Sequence, residues 1–87
     1  MYESAIEEKM KKEVESEGGM FLKWVCPGVT GVPDRLALLP GGRIVFVEVK
    51  RPGGRLSARQ RRVAYQLRAL GFKVICAASV EELKSEI

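Results

Sequence analysis

Two alternating segments that meet at Pro40-Gly41-Gly42 constrain this chain more than any other feature. Asp34 to Leu39 and Arg43 to Lys50 read as strands, and the Pro/Gly triplet between them reads as a hairpin turn. In the second strand Val45, Val47 and Val49 share one face, while Ile44, Phe46, Glu48 and Lys50 share the other. A three-residue loop sets Leu39 opposite Arg43, and every cross-strand pair then has residue numbers summing to 82. Asp34 falls opposite Glu48 on one face, with Cβ atoms about 5 Å apart. A two-residue loop would send the two carboxylates to opposite faces, so the chemistry hangs on register parity. Carboxylates this close repel unless a cation lies between them. A divalent metal held by oxygen ligands meets that need, with Lys50 beside it. Taken alone, Glu48 and Lys50 read as an exposed ion pair at a fraying strand end, since Glu-x-Lys is a common pattern.

The remaining elements follow from local signals. Ile6, Met10 and Val14 repeat every fourth residue in a predicted helix over 3–17, which Gly18-Gly19 stops. Residues 20–25 read as a strand, and residues 26–33 as a Pro/Gly loop. Ser57 is a good N-cap for a helix running to Leu70 and closed by Gly71. Residues 72–77 form a last predicted strand, and Ser79 caps a short terminal helix. The order is αβββαβα, an α/β domain occupying residues 1–87 without repeat or linker.

Composition narrows the chemistry. The chain has no histidine, which excludes Ser-His-Asp and Cys-His catalysis and Cys₂His₂ zinc fingers. Cys26 and Cys76 stand far apart in apolar surroundings and are expected to be buried free thiols. With no signal peptide or membrane-spanning run in the sequence, a cytoplasmic location is expected. The net charge of +4 conceals an uneven distribution: residues 50–68 carry Lys50, Arg51, Arg55, Arg59, Arg61, Arg62 and Arg68 and no acid, so the rest of the chain is net acidic. Such a block is either a solvated face or a polyanion-binding surface, and its bias toward arginine favours phosphate contact.

Pro33-Asp34 followed by Glu48-Val49-Lys50 resembles the PD-(D/E)XK nuclease signature. The fuller set Gly31-Val32-Pro33-Asp34-Arg35, Val47-Glu48-Val49-Lys50 and Leu56-Ser57-Ala58-Arg59-Gln60 is similar to the VRR-NUC family within it. The resemblance implies a restriction-endonuclease-like fold with a central mixed sheet flanked by helices. It implies Mg²⁺ or Mn²⁺ held by Asp34, Glu48 and the Val49 carbonyl, with Lys50 assisting attack on a DNA phosphodiester. The family also places a glutamate of the first helix near the metal. Glu7, at the edge of the inward stripe, is the first choice for this further metal ligand and catalytic carboxylate, and Glu3, one turn earlier, the second. The resemblance also implies that Gln60 is a catalytic residue; it lies on the apolar side of its helix, where its amide either points at the site or bonds neighbouring backbone. Arg35, Arg51, Arg55, Arg59, Arg61 and Arg62 are the candidate DNA contacts.

The expected function is metal-dependent endonucleolytic cleavage of branched DNA, in the manner of a Holliday-junction resolvase, by a homodimer without small-molecule cofactor or membrane partner. The competing reading is a DNA-binding or assembly module on the same fold without turnover. Residues 20–25 carry more apolar surface than one strand beside one helix would bury, which predicts a subunit contact there, at or near Trp24. Tyr65, on the outer side of its helix, is left unassigned.

Overall fold

In a computed structural model that describes residues 3–87, seven regular elements follow one another in the predicted order. They are α1 (Glu3–Ser16), β1 (Met20–Lys23), β2 (Arg35–Leu39), β3 (Arg43–Val49), α2 (Ala58–Ala69), β4 (Lys73–Ala77) and α3 (Val80–Glu86). The strands form one mixed sheet in the order β1-β2-β3-β4. β1 and β2, and β2 and β3, run antiparallel, while β3 and β4 run parallel across the α2 crossover.

The hairpin has the predicted parity. Leu39 pairs with Arg43 and Arg35 with Val47, joined by a single 3₁₀ turn at Pro40–Gly42. β3 is one of the two inner strands, and from Val45 to Val49 it is buried on both faces. Val45, Val47 and Val49 enter a core with Ile6, Met10 and Val14 of α1, Phe21, Ala37, Leu39, Ile75, Ala77 and Leu83. Phe46 faces the other way, packing with Val74 and Ala64 and flanked by Trp24, Leu36 and Leu67. The four-residue spacing on α1 is therefore a fully buried stripe: Ile6, Met10 and Val14 retain almost no exposure.

Gly19 permits the tight passage from α1 to β1, because a Cβ there would collide with the Leu38 carbonyl oxygen. Ser57 and Ser79 cap α2 and α3 as their positions predict. At the outer edge of the sheet the Arg68 side chain donates to the Val74 carbonyl at 2.7 Å, occupying an edge acceptor.

Three expectations change. β1 stops at Lys23, and Trp24 turns against its own chain, its ring centroid 5.2 Å from that of Phe46. Trp24 is thus a packing residue, and the exposed apolar surface of β1 lies instead at Met20 and Leu22. Cys26 is half-buried and Cys76 exposed, so neither thiol is the buried one the apolar neighbours suggested. Cys76 sits on the alternate that points away from the α1 core, where only part of the sheet is covered. No helix among the described residues is long and apolar enough to cross a membrane.

Candidate active site

Asp34 is the last residue before β2, and the register carries it opposite Glu48 near the end of β3. Its carboxylate Oδ1 accepts the Val49 N–H at 3.0 Å, which ties the approach to β2 to the next strand just past the last ladder pair. Its main-chain carbonyl accepts the Trp24 N–H at 2.9 Å. Asp34 is therefore restrained through both its side chain and its peptide.

Glu48 is buried, with 6% of its surface exposed, the single buried charged residue among those described. Lys50 stands two residues on, its Nζ 3.7 Å from Glu48 Oε2, and its N–H donates to the Ala77 carbonyl of β4 at 3.0 Å. Burial drives the Glu48 carboxyl up from 4.5 to about 7; the Asp34 charge pushes the same way, and Lys50 only partly offsets them. Asp34 is also held above its ordinary range, mainly by burial, with the Val49 N–H and Arg35 opposing and Glu7 adding to the rise. For both carboxyls burial is the largest cause, and the positive charge of Lys50 beside Glu48 and of Arg35 beside Asp34 does not fully offset it.

Glu7 faces this region from α1, but its Oε2 is bound to the Arg35 guanidinium at 2.5 Å. A second guanidinium nitrogen of Arg35 donates to the Asp34 carbonyl at 3.0 Å. Arg35 is only 15% exposed at its side chain, so of the six predicted DNA-contacting arginines it is the one turned inward. The Glu3 side chain lies outside those described. Among the described residues, no three His, Cys, Asp or Glu side chains group as a metal cage. The oxygen donors brought together are those of Asp34 and Glu48, with the Val49 peptide adjacent.

Gln60 serves its own helix. Its amide oxygen accepts the Ser57 N–H at 2.8 Å, while its own N–H donates to the Ser57 hydroxyl at 3.1 Å. This is a capping box, and it realises the backbone-bonding alternative for Gln60. Arg51, Arg55, Arg59, Arg61 and Arg62 are exposed. The loop after β1 docks on α2 where Arg59 donates to the Thr30 hydroxyl at 2.6 Å. Gly31 makes that approach possible, since a Cβ there would lie 2.7 Å from Arg59 Cγ. Thr30, Arg59, Arg62 and Gln66 line a cleft between loop and helix.

One neighbour was not legible in advance. The parallel register sets Cys76 beside Glu48, and partial desolvation of the thiol against the sheet, followed by the Glu48 charge, raises its pKa although the residue as a whole is exposed. Only the pairing of β4 with β3 could have revealed it.

Comparison with known proteins agrees with this architecture. The chain is 48% identical over 73 residues to "Putative nuclease p44" of Acyrthosiphon pisum secondary endosymbiont phage 1, covering 84% of this chain and 78% of that protein. A solved structure described as a VRR_NUC domain superimposes with a TM-score of 0.88 at 31% identity, covering 95% of this chain and 90% of that one. The VRR-NUC domain profile matches residues 3–81. With that match across nearly its whole length, on a sheet that sets Asp34 against Glu48, the chain belongs to the VRR-NUC domain family.

Proposed function

We propose that this chain is a divalent-metal-dependent DNA endonuclease that acts on branched DNA as a homodimer. Family membership and the likeness to the phage protein support a nuclease-type function. The observation that carries the finer reading is the buried Glu48 opposite Asp34 with Lys50 alongside. Two hard oxygen donors short of positive charge suit Mg²⁺ or Mn²⁺ rather than a soft metal. Asp34, Glu48 and the Val49 carbonyl would hold the ion. When bound, it supplies Lewis-acid charge to the phosphate and makes the attacking water more acidic.

The chain's own residues do the rest. Asp34 and Glu48 fix the position of the reacting phosphate by fixing the site that receives it. Lys50 orients the water and stabilises charge developing on the phosphate oxygens. With no histidine in the chain, deprotonation of the water falls to this carboxylate and lysine cluster. The exposed arginines of α2 and of the segment before it bind backbone phosphates and so hold the strand without reading its bases.

The homodimer is supported by a row of apolar side chains crossing the sheet at the end remote from Glu48. Met20 pairs with Leu38, and Leu38 with Ile44, with Leu22 and Phe72 beside them. Met20 is 56% exposed, and Ile44, Leu22 and Phe72 are each more than a third exposed. A second copy is the occupant this row fits, because a two-fold pair delivers two matched nicks to a two-fold branched substrate.

The test is cleavage of labelled four-way junctions, flaps and linear duplex with Mg²⁺, Mn²⁺ or chelator. Wild type should cut the junction in paired positions only with metal. Asp34→Ala and Lys50→Ala should each lose roughly a hundredfold or more in rate, with DNA binding kept by Lys50→Ala. Metal-independent cutting, or near wild-type turnover in either variant, would overturn the assignment. Binding without cutting would make the chain a non-catalytic DNA-binding module.

A further inference from the structure

We propose that Arg35 is a positioning residue for the carboxylate pair: its guanidinium joins Glu7 of α1 to the main-chain carbonyl of Asp34 and thereby sets where the Asp34 carboxylate stands. This rests on the metal-dependent function proposed above. It replaces the expectation that Arg35 contacts DNA.

Position in the chain explains why Asp34 needs such a brace. It closes the eleven-residue connection between β1 and β2, and it precedes the first residue of β2 that pairs with β3. A residue there would fray without external restraint. Alternation sends Asp34 and Arg35 to opposite faces, so the Arg35 side chain reaches α1 while Asp34 faces Glu48. The guanidinium then holds two acceptors at once, Glu7 Oε2 at 2.5 Å and the Asp34 carbonyl at 3.0 Å. From the other side, the Trp24 N–H holds the same carbonyl and the Val49 N–H holds the carboxylate.

The arrangement also assigns Glu7 a role. Its carboxylate is taken up by Arg35, so the first-helix glutamate acts on the site through the guanidinium, as the anchor of the brace. A lysine cannot reproduce this, because one ammonium lacks the planar fork that spans two acceptors. The low exposure of Arg35 separates it from Arg59 and Arg62, which are exposed on α2, Arg59 with a bond to the Thr30 hydroxyl.

Mn²⁺ binding without DNA, followed by calorimetry, tests the proposal in Arg35→Gln, Arg35→Lys, Glu7→Gln and the double variant R35Q/E7Q. Outer supporting groups of a metal site typically contribute 10- to 100-fold to affinity. Arg35→Gln should weaken Mn²⁺ binding about tenfold and lower kcat with little change in KM for DNA. Glu7→Gln should do the same, and the double variant should be no worse than either single one. In a Lys50→Ala background, Arg35→Gln should leave DNA affinity and its salt dependence unchanged. Circular dichroism checks folding, and if Arg35→Gln does not fold, Arg35→Lys, which keeps the charge, carries the comparison. Unchanged Mn²⁺ affinity with weaker DNA binding would make Arg35 a phosphate contact and overturn the proposal. So would losses that multiply in the double variant, since Glu7 and Arg35 would then act separately. Failure of the function itself is distinguishable: wild type would then neither bind Mn²⁺ nor cut DNA.

Discussion

Replacing Glu48 with glutamine should make the metal-free protein more stable at pH 8 while abolishing its chemistry. Glu48 is 6% exposed, and its carboxyl titrates near 7 in the fold against an ordinary value of 4.5. At about 1.4 kcal/mol per pH unit, that displacement amounts to up to about 3 kcal/mol. The sign follows from which form the fold disfavours. The folded protein holds the Glu48 proton more tightly than the unfolded chain does. This group therefore favours folding below pH 4.5, loses that contribution as pH rises to about 7, and adds no further slope above it. Urea unfolding in chelator, at half-unit steps from pH 5 to 8, measures the effect as the difference between wild type and Glu48→Gln. The chain has no histidine, so no other side chain with an ordinary pKa in that window confuses the comparison. Wild type should lose about 2 to 3 kcal/mol across the range relative to the variant. Mg²⁺ or Mn²⁺ at pH 8 should restore part of that loss in wild type and none in the variant. Parallel pH profiles for the two proteins would refute the claim that the fold confines uncompensated carboxylate charge.

Replacing Arg59 and Arg62 together should weaken DNA affinity and reduce the slope of log K against log salt by about 2, one contact each. An unchanged slope in filter-binding assays would return α2 to a solvated face. Ile44→Lys should lower the mass seen by light scattering from about twice the 9.7 kDa chain to a single chain, with little change in melting temperature because Ile44 is 38% exposed in the protomer. A variant that remains dimeric would move the interface away from the Met20–Leu38–Ile44 row.

The elements were legible because their punctuation is local. Gly18-Gly19, the Pro40 triplet, Ser57 and Ser79 each act within a turn of the chain, and each stands where an element starts or stops. The opposition of Asp34 and Glu48 was legible for a different reason: alternation has period two, so one turn length decides a whole face. Trp24 misled because composition cannot tell a strand's last residues from a turn back onto the sheet. The box at Gln60 was available in the Ser57-x-x-Gln60 spacing, which competes directly with any role at the site. Arg35 was half available. Alternation sends it to the face that α1 covers, but whether Glu7 would meet it depends on how α1 lies across the sheet. The proximity of Cys76 to Glu48 depends on a parallel register set through the α2 crossover, and no local pattern carries it.

The three-residue turn at Pro40–Gly42 has a bearing on how this chain can vary over generations. It is exposed, and five strand residues, about 17 Å of extended chain, separate it from Asp34. Loops elsewhere on the surface can lengthen or shorten by one residue with local effects only. A single insertion or deletion here would shift β2 by one place against β3 and exchange the Asp34 and Arg35 rows, turning one carboxylate away from the other without altering either. A point substitution in the turn leaves the register intact, its cost at the left-handed Gly41 and Gly42 being local backbone strain. For the site, its length matters as much as the identity of Glu48, because the length fixes which face Asp34 occupies.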